Sequence, residues 1–158
     1  MEPARLRVRT TMPAGGELVE CDECVPIRWS TPAARALSFL RFDGDPVGLF
    51  EIGVESRTQI VRSLALVETP TEEPWPSFAV GERLQGAPVL AADFEGAQYE
   101  RSGDLLRFAS RGTRALLYWA KLKSVTRLDC ALASFLVQEE HLVGVIVQLA
   151  DAAWMAVG

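Results

Sequence analysis

The amino-acid sequence predicts a mainly β protein, α+β at most: an antiparallel sheet or sandwich of about eight to ten short strands with little helix. Three observations carry this. Arg5-Leu6-Arg7-Val8-Arg9-Thr10 alternates strictly, with three arginines on one face and apolar or neutral residues on the other, the period of a half-buried strand. Segments 47–67 and 133–149 each consist of an apolar run, a short polar break and a second apolar run, the pattern of a hairpin. Turn signals such as Pro13-Ala14-Gly15-Gly16 and Asp43-Gly44-Asp45-Pro46 separate the runs, so most links read as hairpins.

Taken in order, Pro13-Ala14-Gly15-Gly16 is a turn, and residues 17–24 form an acidic arm or loop. Pro26 to Trp29 reads as a short edge strand, where proline is tolerated. Ser30-Thr31-Pro32 has the composition of a helix cap. Ala33 to Leu40 nevertheless settles on neither period and is read as a strand leading into the turn Asp43-Gly44-Asp45-Pro46. In the first hairpin, Phe50, Ile52 and Val54 alternate with Glu51, Gly53 and Glu55; Ser56-Arg57-Thr58-Gln59 breaks the run, and Ile60, Leu64 and Leu66 resume it. In the second, Phe135-Leu136-Val137 and Leu142 to Val147 flank Gln138-Glu139-Glu140-His141. The two units share a texture, read either as an internal pseudo-repeat or as two hairpins obeying the same rules.

Glu68 to Pro76, with three prolines, is a loop and the one candidate boundary. Each half would hold about 75 residues, marginal alone, so residues 1–158 are read as a single domain. Phe78 to Phe94 is broken by Gly81, Gly86 and Pro88, leaving one short strand at Val89 to Ala92. Asp104 to Ala109 is a strand and Ser110-Arg111-Gly112-Thr113 a turn. Arg114 to Leu122 fits a helix face or a buried strand, and the pair Tyr118-Trp119 tips it to strand. Val125 to Val137 reads as one long strand, and Ala150 to Val157 as one or two helical turns.

Apolar residues make up 49% and charged residues 23% of the chain, which excludes wholesale disorder. There is no asparagine, and arginine outnumbers lysine fourteen to two, a coding bias expected of a GC-rich bacterial source. The N-terminal residues lack an apolar signal core, and the longest apolar run is far below the ~20 residues of a membrane helix. The expectation is a soluble, cytoplasmic protein. Net charge is −5 and unevenly spread. Residues 101–127 hold Arg101, Arg107, Arg111, Arg114, Lys121, Lys123 and Arg127 against Asp104 alone, a net of +6 that leaves −11 for the remainder. Such asymmetry offers an acidic surface to a basic partner, or simply places charges on the solvent faces of strands.

The chemistry-bearing residues form no complete set. Cys21-Asp22-Glu23-Cys24 with Cys130 and His141 supplies four potential zinc ligands, but no second close-spaced pair is present. Acids between the thiols would raise their pKa, which is wrong for a redox motif. No metal and no cofactor is expected. His141 is the sole histidine and sits in a predicted turn beside two glutamates, a poor place for a general base. Asp43-Gly44-Asp45 lacks the further acids of a cation loop, and Gly15-Gly16 lacks the rest of a phosphate loop. The basic stretch with Tyr118 and Trp119 has the ingredients of nucleic-acid binding, but overall acidity opposes it and alternation buries one of the two rings.

In size, acidity and texture the chain resembles the small bacterial toxin-immunity proteins. The hairpin Asp43-Gly44-Asp45-Pro46-Val47-Gly48-Leu49-Phe50-Glu51-Ile52-Gly53-Val54 carries the resemblance over about a sixth of the chain, with no motif that defines the group. It implies a non-catalytic protein-binding module that occludes a basic toxin or effector. Glu20, Asp22, Glu23, Glu72 and Glu73 would be the docking residues and Trp75, between prolines, the anchor. Two alternatives stand beside it. One is a structural or assembly protein that pairs through an edge strand, itself a homo-oligomer where the neighbour is a second copy. The other is an enzyme using carboxylates such as Asp43, Asp45 or Asp129.

Overall fold

The structure, a computed structural model, describes residues 8–12, 18–20, 27–30, 37–90, 99–130 and 133–148. The described residues hold fourteen strands and no helix. They are β1 (Val8–Met12), β2 (Leu18–Glu20), β3 (Ile27–Ser30), β4 (Leu37–Asp43), β5 (Leu49–Glu55), β6 (Val61–Glu68) and β7 (Ala79–Gln85). The second half adds β8 (Ala87–Leu90), β9 (Tyr99–Leu105), β10 (Arg107–Arg111), β11 (Arg114–Tyr118), β12 (Ser124–Cys130), β13 (Ala133–Gln138) and β14 (His141–Gln148). Two six-stranded sheets account for twelve of these. Sheet 1 has the order β2-β3-β6-β5-β4-β9 and sheet 2 the order β10-β11-β14-β13-β12-β7, with β1 and β8 as a separate ribbon.

The protein is thus the mainly β sandwich that alternation predicts, with more strands than expected and two parallel pairings, β4 with β9 and β12 with β7. The two sheets share one plan: a hairpin (β2-β3 or β10-β11), a meander (β4-β5-β6 or β12-β13-β14), and a parallel strand at the edge beside the meander's first member. Each parallel strand is exchanged. β7 follows sheet 1 in the chain yet joins sheet 2, and β9 precedes sheet 2 yet joins sheet 1. The hairpins at 47–67 and 133–149 occupy equivalent places, β5-β6 and β13-β14.

The inner faces pack against each other. Leu40, Phe42, Phe50, Ile52, Val54, Leu64 and Leu66 of sheet 1 meet Ala115, Leu117, Leu128, Cys130, Phe135, Val145 and Val147 of sheet 2, all buried. Trp119, just past β11, bridges them: its ring stacks on Phe42 with centroids 4.1 Å apart, and its Nε1 donates to the Leu142 carbonyl at 2.9 Å. β8 runs across one end, pairing Val89 with Ile60 and donating from Leu90 N to the Gln59 carbonyl.

Several local expectations change. β3 lies between β2 and β6 and is not an edge. The stretch 125–137 is no single strand: Cys130 pairs with Ala133 and Asp129 with Ser134, so β12 and β13 are antiparallel neighbours, and the sequence between them carries no turn signal. The segment 78–94 holds a full strand, β7, hidden because all seven of its residues are exposed and alternation needs a buried face. Arg114–Tyr118 is a strand, as the aromatic pair indicated. The Gln138-Glu139-Glu140-His141 break is a two-residue hairpin turn in which both glutamates take positive φ, 51° and 65°. The expected tail helix over 150–157 and the strand residues before Val8 lie outside the described residues.

Candidate binding face

β14 reads as a continuous apolar run because sheet 2 is covered on both sides. Sheet 1 covers the inner face. On the outer face Ala109, Leu116, Tyr118, Leu122, Val125, Leu136, Val143 and Ile146 form a second apolar cluster. The cover there is the strap 69–78. Its prolines hold it extended and remove backbone donors that would otherwise need partners. The strap first pairs with edge strand β10 through a parallel bridge from Glu72 to Phe108. Glu73 N donates to the Phe108 carbonyl at 2.8 Å, and Glu73 Oε1 accepts from Arg107 Nη1 at 2.8 Å. It then crosses the sheet, laying Trp75 and Phe78 on the apolar cluster, and begins β7 at the opposite edge, where Ala79 N donates to the Lys123 carbonyl.

The rest of the outer face is open and arginine-rich. Arg111 and Arg114 close the β10-β11 hairpin as directly opposed partners. Both guanidinium groups stand over the Trp75 ring, at 5.0 and 5.8 Å from its centroid. Among the described residues no carboxylate lies within ion-pair distance of either. Arg127 on β12 and Arg83 on β7 complete the set around Ile146. Two adjoining recesses of about 360 and 400 Å³ share Arg114, Arg127 and Ile146. Strand alternation and the parallel register together bring these four arginines, from four strands, to one face.

Asp129 organises one side of this face. Its Oδ2 accepts from Arg83 Nη2 at 2.8 Å; its Oδ1 accepts from Arg127 Nε at 2.9 Å and from Ser134 Oγ at 2.7 Å. Burial alone would raise its pKa, but the bonds from Ser134, Arg127 and Arg83 outweigh burial and hold it below the ordinary 3.8. A carboxylate with a depressed folded pKa contributes stability above its unfolded value and loses it as pH falls through the folded value. Asp129→Asn is therefore expected to lower the urea midpoint at pH 6. The gap to wild type should shrink on acidification below about pH 4. A gap that stays constant from pH 6 to pH 3 would show that the ionised carboxylate is not what matters.

On the other side of the strap, Pro76, Ser77, Leu105, Arg107, Tyr118 and Lys121 are among the residues lining a further recess of about 540 Å³. Burial, and then the negative charge of Glu73, raise the Tyr118 pKa against the opposing effect of Arg107, so its hydroxyl stays protonated at neutral pH.

The residues singled out in the sequence do not gather here as one set. Glu20 ends β2, at the edge of sheet 1, whereas Glu72 and Glu73 lie beside the edge of sheet 2; Asp22 and Glu23 are outside the described residues. Glu72 is exposed, Glu73 is paired with Arg107, and Trp75 is half-buried beneath two arginines instead of standing free. Cys130 faces the inner core beside Ala133, while His141 pairs with Gln138 at the far end of β13, ~17 Å away at a strand rise of ~3.3 Å per residue. Those two cannot share a zinc ion whose ligands sit ~2.3 Å from the metal, and Cys21 and Cys24 lie outside the described residues. No three potential metal ligands cluster among the described residues. The His141 Nδ1 donates to the Glu139 carbonyl at 2.8 Å in its exposed turn. Asp43 and Asp45 belong to the β4-β5 turn of sheet 1 and Asp129 to the outer face of sheet 2, so these carboxylates form no shared site. Tyr118 and Trp119 are both buried, on opposite faces, and offer no ring for a base to stack on. No helix among the described residues is long and apolar enough to cross a membrane.

Sequence reasoning missed Arg83 as a partner of the basic stretch, because the pairing of β7 with β12 is parallel and distant in the chain. It placed Arg111 and Arg114 in the basic stretch 101–127 without setting them apart as a pair. The available signal was an arginine at each closing position of the turn Arg111-Gly112-Thr113-Arg114. Neither a protein-family model nor a curated protein matches the chain.

Proposed function

We propose that this chain is a non-catalytic protein-binding module, acting by occlusion in the manner of an immunity or inhibitor protein, and that it docks through the open half of the outer face of sheet 2 together with β7. The observation that carries this is the pair Arg111 and Arg114, propped over Trp75 beside Phe78, Val80 and Ile146. Arginine, tryptophan and aliphatic side chains around a shallow recess are the composition of an interface centre. The recess continues onto β7 at Val80, which is 43% exposed. Glu72 and Glu73, expected as docking residues in their own right, stand beside β10 at the far end of the strap, where they form a rim.

The test is to recover the partner with tagged protein from the source cells, purify the complex and compare amide exchange in the free and bound chain. Protection over 79–85 and 107–118 is expected. A complex whose protection falls only on the outer face of sheet 1 would overturn the proposed surface. A lone chain that turns over a small substrate would overturn the non-catalytic reading.

One observation favours assembly through an edge strand as a second reading. β7 lies at the edge of sheet 2 and is exposed throughout, so among the described residues its outer backbone edge is open to pairing. Concentration-dependent self-association abolished by Gly81→Pro would support it, and a monomer at millimolar concentration would end it.

A further inference from the structure

We infer that the arginine recess recognises an acidic segment of the partner protein, with Arg111 and Arg114 as the pair that takes its carboxylates. The inference rests on the docking reading above and adds the chemistry of the partner.

Two like charges directly opposed across a hairpin destabilise it. Here the closing pair is Arg111 and Arg114, and no carboxylate among the described residues separates them. The Trp75 face offsets part of the repulsion by cation–π attraction. It also fixes both guanidinium groups on the same side of the sheet, so their donors are held in place before anything binds. Preorganised, mutually repelling arginines gain most from an anion placed between them, and guanidinium forks match carboxylates in two-point geometry. Arg83 and Arg127 serve differently: both are already paired with the single carboxylate of Asp129, which anchors them to sheet 2.

The anion is one carried on a protein. A long nucleic acid would run beyond the recess onto the acids that give the chain its net −5, which a short acidic segment avoids. The aromatic ring at the site is already covered by guanidinium groups, so it offers bases no stacking platform. Phe78, Val80 and Ile146 instead supply apolar contact for the methylene stems of glutamates, and a recess of about 360 Å³ has room for a few side chains.

Titration calorimetry with an acetylated, amidated hexaglutamate peptide tests this, with hexalysine and a six-nucleotide thymidine strand as comparators. Hexaglutamate should bind, hexalysine should not, and binding should weaken with added salt. Arg111→Gln with Arg114→Gln should weaken hexaglutamate about tenfold or more, since charge-assisted hydrogen bonds are lost at both positions. Arg57→Gln, in the exposed β5-β6 turn of sheet 1, should leave binding unchanged. The double variant should keep its strand circular-dichroism signal and melt within a few degrees of wild type, because it also removes the repulsion. Equal hexaglutamate affinity in the folded double variant, no hexaglutamate binding by the wild type, or tighter binding of the thymidine strand would each overturn the inference. A natural partner that protects this face yet binds the double variant with unchanged affinity would overturn it while leaving the docking surface intact. Protection elsewhere would remove both.

Discussion

Trp119→Ala is expected to lower the unfolding free energy by about 3–5 kcal/mol, the range for removing a large buried aromatic. The side chain sits where the two sheets meet. Its ring stacks on Phe42 at 4.1 Å and lies 6.2 Å from Phe50, both on sheet 1, while its own backbone N donates to the Val143 carbonyl of sheet 2. Alanine would leave a cavity between the sheets and strand the Leu142 carbonyl that now accepts from Nε1. Trp119→Phe separates the two losses. It keeps most of the packing and forfeits the hydrogen bond, so about 1–2 kcal/mol is expected. The measurement is urea unfolding, read as a lower midpoint at unchanged slope. A loss below about 1 kcal/mol for Trp119→Ala would mean that the inner core closes over the gap and that Trp119 does not tie the sheets together.

This same residue shows what the sequence could reveal. Tyr118 and Trp119 are adjacent, so in a strand they must face opposite ways, and they do: one under the strap, the other in the inner core. The hairpins at 47–67 and 133–149 were legible for the same reason, since each run carries its own period and each break its own polarity. Local pattern stops there. β7 has no buried face to generate alternation, and no glycine, asparagine or proline separates the antiparallel strands β12 and β13 in the sequence. The exchange of β7 and β9 between sheets is a long-range fact with no local trace.

The candidate face was less legible still. Its arginines come from positions 83, 111, 114 and 127, and only the sheet order 10-11-14-13-12-7 makes them neighbours. Trp75, between prolines, stands out in the sequence, but its neighbours decide its role. An aromatic ring between prolines reads as a free anchor until the strap is seen lying against the sheet with two guanidinium groups above it.

The strap's position has a structural origin in sheet 1, and Gly48 is where that can be tested. Gly48 is buried with φ +133°, a conformation open to glycine and strained for other residues. Its N donates to Glu68 Oε1 at 2.9 Å and its carbonyl accepts from Gly44 N at 2.9 Å, which pins the β4-β5 turn to the end of β6 where the strap begins. A Cβ at this position would lie 2.7 Å from Pro70 Cγ and 3.0 Å from Pro70 Cβ. Gly48→Ala therefore combines backbone strain with displacement of the strap's second residue, and about 2–4 kcal/mol of destabilisation is expected. Gly112→Ala is the control. Gly112 also has positive φ, +60°, but a Cβ there meets nothing within 4 Å, so only the backbone cost of about 1 kcal/mol should appear. If the steric part is real, Gly48→Ala should also speed amide exchange at Glu73 and Ala79, whose N–H groups tie the strap to both edges of sheet 2. Equal costs for the two glycine variants, with exchange at Glu73 and Ala79 unchanged, would mean that Pro70 yields freely and that the strap is placed by its contacts with sheet 2 alone.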